Sequence, residues 1–555
     1  MRQRIVIVGG NAGGMSTATR LRRLDEDADI VVLEAGDYVS YASCGLPYHL
    51  DGTIPEDDLA VLTPEVVSSM FDLDVRTNHK ATGLDTESRT VTVRSPDGRE
   101  RLSYDSLVLA TGAAPIEPPI DGLDEVETHS VRTIDDVTAI RERVEDDGVD
   151  RALVVGGGYI GLEVTETLHE AGLSVITAEM ESQVMPRTLG PAMAAHVHNH
   201  VRDAGVDLRL DTIVSAFRPG EVTTVEFGDG ETKNVDLVVL AAGVSPRTDL
   251  AEDADLDIHD SGAIRVGDQL RTSAPDVYAL GDAAAVPAVG GEHAWVPLGG
   301  PANRQGRVLG TVLAGREDHL DPVYDTAVAK VFDLTVGAIG ETEASIGDGE
   351  ELEKVYVYPP NHAEYYPAAE RFWLKLLFDP TDGTVLGAQS VGRDGVDKRI
   401  DVVATAMQNG ATVSELAQLD LTYAPPYSSA KDPVNMAGMA AENVLEGLVD
   451  LIHCHDLDSE DRPLLDCRPP EMRTAEGHIP DALNVPLPAL RDQTDELPNE
   501  VVTYCKMGQT SYAAGRVLEQ HGIEAASLSG GYALYDGVQR DRAARADPPL
   551  IDDYD

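Results

Sequence analysis

The sequence predicts an α/β protein of several domains, and three observations carry that prediction. An apolar strand, a glycine-rich turn, a helix and a second strand ending in an acid follow one another from Arg4, and this order recurs from Arg151. The chain has 555 residues, whereas a single domain has about 150. A further strand and loop pattern around Cys505 indicates a separate C-terminal domain.

The first repeated pattern is a βαβ unit of the dinucleotide-binding type. Its strand, residues 4–8, leads into a glycine-rich turn, and the second strand ends at Glu34. Such a turn brings backbone N–H groups and a helix N-terminus to a pyrophosphate, while the acid binds ribose hydroxyls. Asn11 replaces the middle glycine of the usual motif. The predicted cofactor-binding residues here are Gly9, Asn11, Ala12, Gly13, Gly14 and Glu34.

The second βαβ unit keeps all three glycines of the motif and predicts a second dinucleotide site. Its acid, Glu179, would repel a 2′-phosphate, which favours NADH and leaves NADPH as the alternative. Two unoccupied units would be the purely structural interpretation. The predicted nucleotide-binding residues are Gly156, Gly158, Tyr159, Ile160, Gly161 and Glu179.

Three further segments complete a recognisable series. Two apolar strands end in small residues at Gly112 and Gly243, and a third ends in Gly281-Asp282, where a carboxylate can approach a polyol. Over residues 1 to about 320 the chain resembles the pyridine nucleotide-disulfide oxidoreductase family of flavoproteins. The resemblance implies FAD in the first unit, with Asp282 holding the ribityl chain of the flavin, and a nicotinamide nucleotide in the second. The further predicted cofactor-binding residues are Thr111, Gly112, Gly243 and Gly281.

The resemblance also implies a domain plan with a homodimer. We expect an FAD-binding domain at 1–113 and 245–322, an NAD(P)H-binding domain at 114–244 and an α+β dimerisation domain at 323–446. A polar linker at 447–462 would precede an α/β domain at 463–545.

Cys44 lies in the segment Ser-Tyr-Ala-Ser-Cys-Gly-Leu-Pro-Tyr. The next cysteine along the chain is Cys454, so most of the chain separates the two. Cys44 therefore cannot close a local disulfide, and we expect it to pair with a small-molecule thiol or with oxygen. Four cysteines without regular spacing argue against a structural disulfide framework and for a reducing compartment.

The Cys44 segment resembles the single-cysteine branch of the family: coenzyme A-disulfide reductases, NADH oxidases and peroxidases, and persulfide or polysulfide reductases. Oxidase and peroxidase members commonly carry a histidine where this chain has Ala12. Arg20, Arg22 and Arg23 cluster on the helix after the first glycine-rich turn. Arginine side chains suit phosphate, although a solvated helix face explains any one of these arginines equally well. By resemblance, the candidate coenzyme A contacts are Ser16, Arg20, Arg23, Ser40, Ser43, Asn303 and Lys431.

Tyr365 and Tyr423 match two tyrosines that these reductases project from the partner subunit, where a phenol can protonate a departing thiolate. Tyr366 and Tyr427 are alternatives that the sequence leaves open.

Four separated segments after residue 463 resemble a rhodanese domain, with Cys505 as the expected carrier of sulfane sulfur. Backbone N–H groups of its loop and the following helix would stabilise a thiolate or a persulfide. Thr510 stands where arginine is common, which argues against transfer to anionic acceptors. An inert docking module is the weaker interpretation.

The chain is strongly acidic, with 97 acidic and 43 basic side chains and a formal charge of -54. This charge disfavours nucleic acid and anionic membranes as partners, and its spread along the chain indicates the salty cytoplasm of a halophile. No apolar stretch is long enough to predict a membrane span. We interpret His196, His198 and His200 as a solvated helix face and expect no metal.

Together with the family resemblance, these observations predict an FAD-dependent NAD(P)H oxidoreductase of the cytoplasm that reduces coenzyme A disulfide, coenzyme A persulfide or polysulfide through Cys44. The rhodanese domain would handle the sulfane sulfur. Two alternatives remain: an NADH oxidase that reduces oxygen through a cysteine sulfenic acid, and a sulfur-trafficking protein with a vestigial flavin half.

Overall fold

A computed structural model describes residues 3–60, 62–146, 148–346 and 351–545. The chain forms two compact units. The first comprises Met1–Thr177 and Val214–Tyr324, and the second comprises Ala178–Ile213 and Asp325–Asp555. Among the described residues, no helix combines the length and the apolar character needed to cross a membrane.

The first segment of the first unit contains the predicted FAD-type βαβ unit. Its strands are β1 (Arg4–Val8), β2 (Asp29–Leu33), β3 (Asp74–Arg76), β4 (Lys80–Asp85), β5 (Thr90–Ser95), β6 (Gly98–Ser103), β7 (Ser106–Leu109) and β8 (Ala113–Pro115). Its helices are α1 (Ala12–Arg22), α2 (Leu46–Leu50), α3 (Glu56–Leu59) and α4 (Pro64–Phe71). Strands β1, β2 and β7 are parallel neighbours with buried apolar side chains, as expected for a sheet covered on both faces.

The next segment contains the second βαβ pattern, and the boundary between the two units falls at the end of its second strand. Its strands are β9 (Arg151–Val155), β10 (Ser174–Ala178), β11 (Asp207–Arg209), β12 (Val214–Arg218), β13 (Thr223–Phe227), β14 (Thr232–Val235) and β15 (Leu237–Leu240). Its helices are α5 (Ile134–Glu145), α6 (Tyr159–Glu170) and α7 (Pro191–Asp203). Strand β9 pairs in parallel with β15, so the turn after β9 lies beside the end of β15.

The chain then returns to the first unit. The strands of this segment are β16 (Val244–Pro246), β17 (Ile264–Arg265), β18 (Val277–Ala279), β19 (Ala284–Pro287) and β20 (His293–Ala294), and the helices are α8 (Asp249–Glu252) and α9 (Gly299–Leu313). Strand β18 joins the first sheet beside β7, giving the order β18-β7-β1-β2-β3. This pairing brings Gly281 and Asp282 to the same sheet edge as the first glycine-rich turn, because parallel strands end at one edge.

The middle of the second unit is an antiparallel sheet with helices. It contains β21 (Ala327–Val331), β22 (Leu334–Gly340), β23 (Glu353–Val357), β24 (Trp373–Phe378), β25 (Val385–Gly392), α10 (Val396–Gln408), α11 (Val413–Gln418) and α12 (Pro433–Leu445). The strands lie in the order β21-β22-β25-β24-β23, which agrees with the α+β domain expected in this region.

The C-terminal domain is a parallel sheet with helices. It contains β26 (Asp450–Ile452), β27 (Leu464–Asp466), β28 (Leu483–Asn484), β29 (Glu500–Tyr504), β30 (Glu524–Leu528), α13 (Pro470–Glu476), α14 (Leu487–Leu490), α15 (Gln509–Gln520) and α16 (Gly531–Ala544). Strand β26 pairs with β30 at the sheet edge. Residues 450–452, which the sequence analysis places in a linker at 447–462, therefore form an edge strand of this sheet.

Candidate active sites around Cys44 and Cys505

The first glycine-rich turn is shaped so tightly that side chains are excluded. Gly9 has a φ of +112°, and a Cβ there would lie 2.0 Å from the Ala110 carbonyl oxygen. A Cβ on Gly14 would lie 2.0 Å from the Gly9 carbonyl oxygen. Asn11 is the N-cap residue of α1, yet its side chain makes no capping hydrogen bond, so the helix N-terminus keeps N–H groups for a ligand. The remaining predicted turn residues, Ala12 and Gly13, begin α1.

Two carboxylates stand at the edge of this sheet. Glu34, after β2, accepts hydrogen bonds from the backbone N–H groups of Gly10 (2.8 Å) and Gly36 (2.9 Å), which fixes it beside the turn. Asp282 lies 3.4 Å from the Arg132 guanidinium, and its carbonyl accepts a hydrogen bond of 2.8 Å from the Trp295 indole. A glycine-rich turn, a helix N-terminus and two fixed carboxylates at one edge fit a dinucleotide such as FAD.

The other predicted residues of this site form sharp connections. Gly112, Gly243 and Gly281 have φ values of +71°, +101° and +69°, a region that glycine adopts freely. Thr111 donates a hydrogen bond of 2.6 Å to the Arg247 carbonyl, and the N–H of Gly281 donates one of 2.6 Å to Gln305. These bonds hold the crossing points of the chain in place.

The second turn repeats the geometry of the first. A Cβ on Gly156 would lie 2.3 Å from the Ala241 carbonyl oxygen, and one on Gly161 would lie 2.1 Å from the Gly156 carbonyl oxygen. By contrast, a Cβ on Gly158 would meet no atom within 4 Å. Packing within the protein therefore does not require glycine at 158, but close approach of a pyrophosphate would. Tyr159 and Ile160 open α6, and Ile160 is exposed.

Glu179, the acid of the second pattern, belongs to the second unit. It is nearly buried, and its carboxylate accepts a hydrogen bond of 2.8 Å from the N–H of Glu181. This bond orients the carboxylate just beyond β10.

Cys44 is held beside the first turn by the backbone of its own segment. The N–H of Ser40 donates a hydrogen bond of 2.8 Å to the Gly10 carbonyl, and Ser43–Gly45 form a short 3-10 helix. The cysteine is exposed and free. Its Sγ also lies beside the N-terminus of α9, since a Cβ on Gly299 would be 3.7 Å from it. The segment thus presents one thiol between the flavin-type turn and a helix N-terminus.

Neighbouring groups have opposite effects on the pKa of the Cys44 thiol. Partial desolvation raises the pKa of the thiol, Glu163 of α6 raises it further, and a hydrogen bond with Ser43 lowers it. The Tyr48 hydroxyl lies 3.2 Å from the Glu163 carboxylate, and desolvation followed by this carboxylate raises the pKa of the phenol. The partial positive charge at the N-terminus of α9 favours a thiolate.

Helices α1 and α9 form a basic surface that sequence reasoning found only in part. Ser16 is hydrogen-bonded to Asn303 (2.6 Å), and Arg20 donates to the Thr311 hydroxyl (3.1 Å). Desolvation and the charges of Arg307, Arg23 and Arg316 lower the pKa of Arg20. Arg307 and Arg316 were missed because they lie on and after α9, far from α1 in the sequence.

Arg22 differs from its neighbours on α1. It is buried, and its guanidinium donates to backbone carbonyls including those of Phe71 (3.0 Å) and Ala28 (2.9 Å). This arginine stabilises the fold and has no surface from which to bind a phosphate.

The two predicted tyrosines meet in the second unit. The hydroxyl oxygens of Tyr365 and Tyr423 are 2.7 Å apart, although 58 positions separate the residues, and both side chains are exposed. This hydrogen bond raises the pKa of Tyr365. Tyr366 instead packs edge-on against His362, with ring centroids 5.6 Å apart. The contact distinguishes Tyr365 from its neighbour as the partner of Tyr423.

A buried ion pair holds the two tyrosine loops together. Arg399 of α10 is nearly buried and donates to the Asn361 carbonyl (2.8 Å) and to the Asp432 carboxylate (3.2 Å). Ser428 also donates to Asp432 (2.6 Å). Asp432 caps α12, and the candidate Lys431 precedes it on the surface.

Cys505 lies where β29 ends and the loop to α15 begins. It is buried, and its carbonyl accepts a hydrogen bond of 2.8 Å from the N–H of Tyr532 at the start of α16. The next residue, Lys506, forms an ion pair of 2.6 Å with Glu476. Thr510 is exposed on the first turn of α15. The Cys505 loop is therefore held at both its carbonyl and its charged side chain.

His196 and His198 of α7 were wrongly interpreted as part of a solvated face. His198 is fully buried, accepts a hydrogen bond of 3.0 Å from the N–H of Val184 and pairs with Asp541 of α16 (3.0 Å). His196 stacks on Trp373 at 5.0 Å, and its burial lowers its pKa to about 4. These rings pack against α16, which the local pattern of α7 cannot reveal. No group of three metal-ligating side chains occurs in the described part of the chain.

Comparison with known proteins agrees with both glycine-rich patterns and with the C-terminal fold. Residues 3–306 match the model of the pyridine nucleotide-disulphide oxidoreductase family, and residues 326–433 match its dimerisation domain. The chain belongs to this family. Residues 447–537 match the rhodanese-like domain, which begins before the boundary that the sequence predicted.

Similar proteins come from archaea and bacteria. An NADH oxidase of Methanocaldococcus jannaschii is 35% identical over 80% of this chain and 99% of its own. An NAD(P)H coenzyme A polysulfide/persulfide reductase of Pyrococcus horikoshii is 33% identical over 78% of this chain and 97% of its own. A coenzyme A disulfide reductase of Staphylococcus haemolyticus is 32% identical over 80% of this chain and 100% of its own.

Two solved structures also cover the C-terminal domain. The reduced CoADR-RHD of Bacillus anthracis is 39% identical, with a TM-score of 0.95 over 98% of this chain and 99% of its own. An NAD-dependent persulfide reductase from A. fulgidus is 37% identical, with a TM-score of 0.91 over 96% and 100% of the two chains.

Membership of the family makes the chain an oxidoreductase and implies FAD and a pyridine nucleotide. The first turn with Glu34 and Asp282 fits FAD, and the turn with the open space at Gly158 fits the nucleotide.

Proposed function

We propose that this oxidoreductase uses Cys44 to reduce a disulfide or persulfide of coenzyme A, or a polysulfide, with electrons from NAD(P)H. One observation carries the proposal: Cys44 is a free, exposed cysteine held between the first glycine-rich turn and the N-terminus of α9. A thiol in that place needs a sulfur partner that arrives from solution.

The chemistry of Cys44 is thiol–disulfide exchange. Its thiolate attacks one sulfur of the substrate, so that a bond forms to Sγ while the substrate S–S bond breaks and a thiolate or hydrosulfide leaves. FAD, when bound, supplies the two electrons from the nicotinamide that return the mixed disulfide to a thiolate. The helix N-terminus of α9 favours the thiolate form of Cys44 and so opposes the rise in its pKa that burial and Glu163 cause.

Coenzyme A suits the basic surface of α1 and α9. Its phosphates would be bound by Arg20 and Arg23, with Arg307 and Arg316 adding positive charge. Ser16 and Asn303 offer hydroxyl and amide groups beside them, and Ser40 and Ser43 flank the thiol. In so acidic a chain, this concentration of arginine supports an anionic substrate.

We infer that the enzyme is a homodimer whose tyrosine pair serves the partner's Cys44. The match to the dimerisation domain supports the dimer, and the exposed, hydrogen-bonded hydroxyls of Tyr365 and Tyr423 support a proton-donating role. One phenol can donate to the departing thiolate while the other stabilises the phenolate that remains. Lys431 would add a charge from the same subunit.

Mixed dimers test this sharing. Coexpression of Cys44→Ser chains with Tyr365→Phe/Tyr423→Phe chains should restore about a quarter of wild-type activity, because mixed dimers keep one complete site. Each variant alone serves as the control. If both elements acted within one chain, the mixture would stay inactive.

Glu179 supports NADH over NADPH as the reductant, since its oriented carboxylate would accept ribose hydroxyls and repel a 2′-phosphate. The measurement is kcat/KM for each nucleotide, and the Glu179→Ala variant should accept NADPH better than the wild type does. The Glu181→Ala variant is the matched control, because Glu181 lies close to Glu179 in the sequence.

The rhodanese-like domain supports sulfane sulfur as a substrate. A cysteine at the end of β29, next to the N-terminus of α15, is placed to carry sulfur as a persulfide. Cys505 would then deliver sulfur toward coenzyme A or Cys44. If polysulfide reduction in Cys505→Ser equals that of the wild type, this relay is removed.

Oxygen reduction is the second candidate, favoured by the similarity to the Methanocaldococcus jannaschii NADH oxidase. Ala12 at the start of α1 gives no base beside the turn for handling peroxide. NADH consumption with and without oxygen, in the absence of any disulfide, distinguishes the two candidates.

The main experiment compares NADH-dependent thiol and sulfide release by the wild type, Cys44→Ser and Cys505→Ser. Loss of both activities in Cys44→Ser, with an unchanged flavin spectrum, is the expected result. Retained disulfide reduction in that variant would contradict the proposal.

We further infer a cytoplasmic setting of high ionic strength, because a charge of -54 spread along the chain opposes compaction until salt screens it. The melting temperature should rise as potassium chloride is added. A melting temperature that does not depend on salt would contradict this setting.

A further inference from the structure

The rhodanese-like domain contains a second cysteine, Cys467, beside the proposed sulfur carrier. Strands β27 and β29 are parallel, and Asp466 is the register partner of Tyr504. The N–H of Cys467 donates a hydrogen bond of 2.8 Å to the Tyr504 carbonyl, which continues this register by one residue. Cys467 and Cys505 are therefore neighbours across two adjacent strand ends.

Both cysteines lie on the same face of the sheet. Cys467 packs in an apolar cluster with Leu465, Ala514 and Leu518, and the latter two belong to α15. Thr503 also faces α15, because its hydroxyl donates to the Ser511 carbonyl (3.1 Å). Side chains alternate along a strand, so Cys505 shares the face of Thr503.

The expected distance between the Cα atoms of Cys467 and Cys505 suits a disulfide bond. Neighbouring strands are about 4.8 Å apart, and disulfides join Cα atoms about 4.4–6.8 Å apart. Burial raises the pKa of the Cys467 thiol, and the neighbouring Cys505 raises it further. Cys467 therefore stays protonated and reacts slowly, unlike a primary acceptor of sulfur.

We propose that Cys467 is a resolving thiol that discharges a persulfide on Cys505 when no external acceptor removes the sulfur. This inference rests on the proposed role of Cys505 as a sulfur carrier. The Cys467 sulfur attacks the Cys505 sulfur, an S–S bond forms between them, and the bond to the outer sulfur breaks. The outer sulfur leaves as hydrosulfide and takes up the thiol proton of Cys467.

The electrons of this step balance without an added oxidant. The sulfane sulfur gains two electrons and becomes sulfide, while the two cysteines lose two and become a disulfide. A low-molecular-weight thiol in excess then reduces the Cys467–Cys505 disulfide and is itself oxidised to a disulfide. The domain therefore stays in the Cys467–Cys505 disulfide form until free thiol is abundant.

The test uses the full-length protein without oxygen, NADH or thiols. The protein is exposed briefly to inorganic tetrasulfide and passed rapidly through gel filtration. Samples are then alkylated at timed intervals and digested with a protease that cleaves after glutamate. This digestion separates Cys454 from Cys467 at Glu460 and yields fragments 461–471 and 501–519, which carry Cys467 and Cys505. Mass spectrometry then follows the persulfide and the linked fragments.

In the wild type, the persulfide on Cys505 should decay as the two fragments become linked and sulfide appears. In Cys467→Val and Cys467→Ala, the persulfide should last at least about tenfold longer, with no linked pair. Cys454 is the control, because it is also buried, and burial raises its pKa to about 12. The Cys454→Ala variant should behave as the wild type.

Two results would overturn the inference. Equal persulfide lifetimes in the wild type and the Cys467 variants, without linked fragments, would remove the resolving thiol and leave the sulfur carrier intact. Absence of a persulfide on Cys505 in every protein would remove the carrier, and the inference with it.

Discussion

Cys44 and Cys505 differ in their exposure to solvent and in the structure around their sulfur atoms. Cys44 is exposed on a 3-10 helix, near a helix N-terminus and a basic surface that can receive a large anionic thiol. Cys505 is buried at a strand end, in a loop held by Tyr532 and by the ion pair of Lys506 with Glu476. The difference supports our proposal that the first thiol exchanges with a bulky partner, whereas the second carries a small sulfur atom.

Replacing each thiol in turn should separate the two roles most strongly. Cys44→Ser should lower the reduction of coenzyme A disulfide by at least about 1000-fold, because a hydroxyl cannot form the mixed disulfide. Cys505→Ser should leave that rate within about twofold, since the substrate needs no sulfur carrier. Steady-state NADH oxidation with coenzyme A disulfide measures both. Equal losses would show that the thiols act as one site.

Loosening the contact of α16 with α7 should affect the Cys505 side more than the Cys44 side. Asp541 pairs with His198, with Arg202 (2.6 Å) and with Arg545, and its carboxylate is nearly buried. Asp541→Asn should lower the free energy of unfolding of this region by about 3 kcal/mol, because buried charges lose their partner.

Asp203→Asn is the matched control, since the pair of Asp203 with Arg540 is exposed and should contribute less than about 1 kcal/mol. Thermal unfolding measures stability, and sulfide release measures function. A loss of coenzyme A disulfide reduction in Asp541→Asn equal to the loss of sulfide release would contradict the separation.

Removing both tyrosine hydroxyls should slow the Cys44 reaction without changing Cys505. The Tyr365→Phe/Tyr423→Phe variant should have a kcat about 100-fold lower, because the departing thiolate loses its proton donor. Tyr427→Phe is the control, since it keeps the pair of Tyr365 with Tyr423. Unchanged kcat in the double variant would show that protons come from elsewhere, with Tyr48 as the next candidate.

Arg20 should matter for binding more than for chemistry. Arg20→Ala should raise KM for coenzyme A disulfide about tenfold and leave kcat nearly unchanged, because the proposed role of Arg20 is to bind phosphate at a distance from the thiol. The exposed Arg94 of β5 provides the control. A similar loss with a small polysulfide would contradict phosphate recognition, since polysulfide has no phosphate.

The parts of the fold that could be predicted are those with local signals. Gly9, Gly14, Gly156 and Gly161 fill positions where a Cβ would strike the backbone, so the glycine spacing itself encodes the turns. Cys44 was recognisable because no other cysteine is near it in the sequence.

What the sequence could not predict depends on contacts between distant segments. Arg307 joins the basic surface only because α9 packs on α1. His198 reads as polar on α7, but it is buried because Asp541 of the last helix satisfies it. The register that places Cys467 beside Cys505 likewise follows from strand pairing, which neither segment shows alone.

We propose above all that Cys44 takes its sulfur partner from solution. Mass spectrometry under non-reducing conditions, after brief exposure of the protein to coenzyme A disulfide without NADH, tests it most directly. We expect one coenzyme A joined by a disulfide to Cys44 and none joined to Cys505. An unmodified Cys44, or coenzyme A found on Cys505 alone, would contradict it.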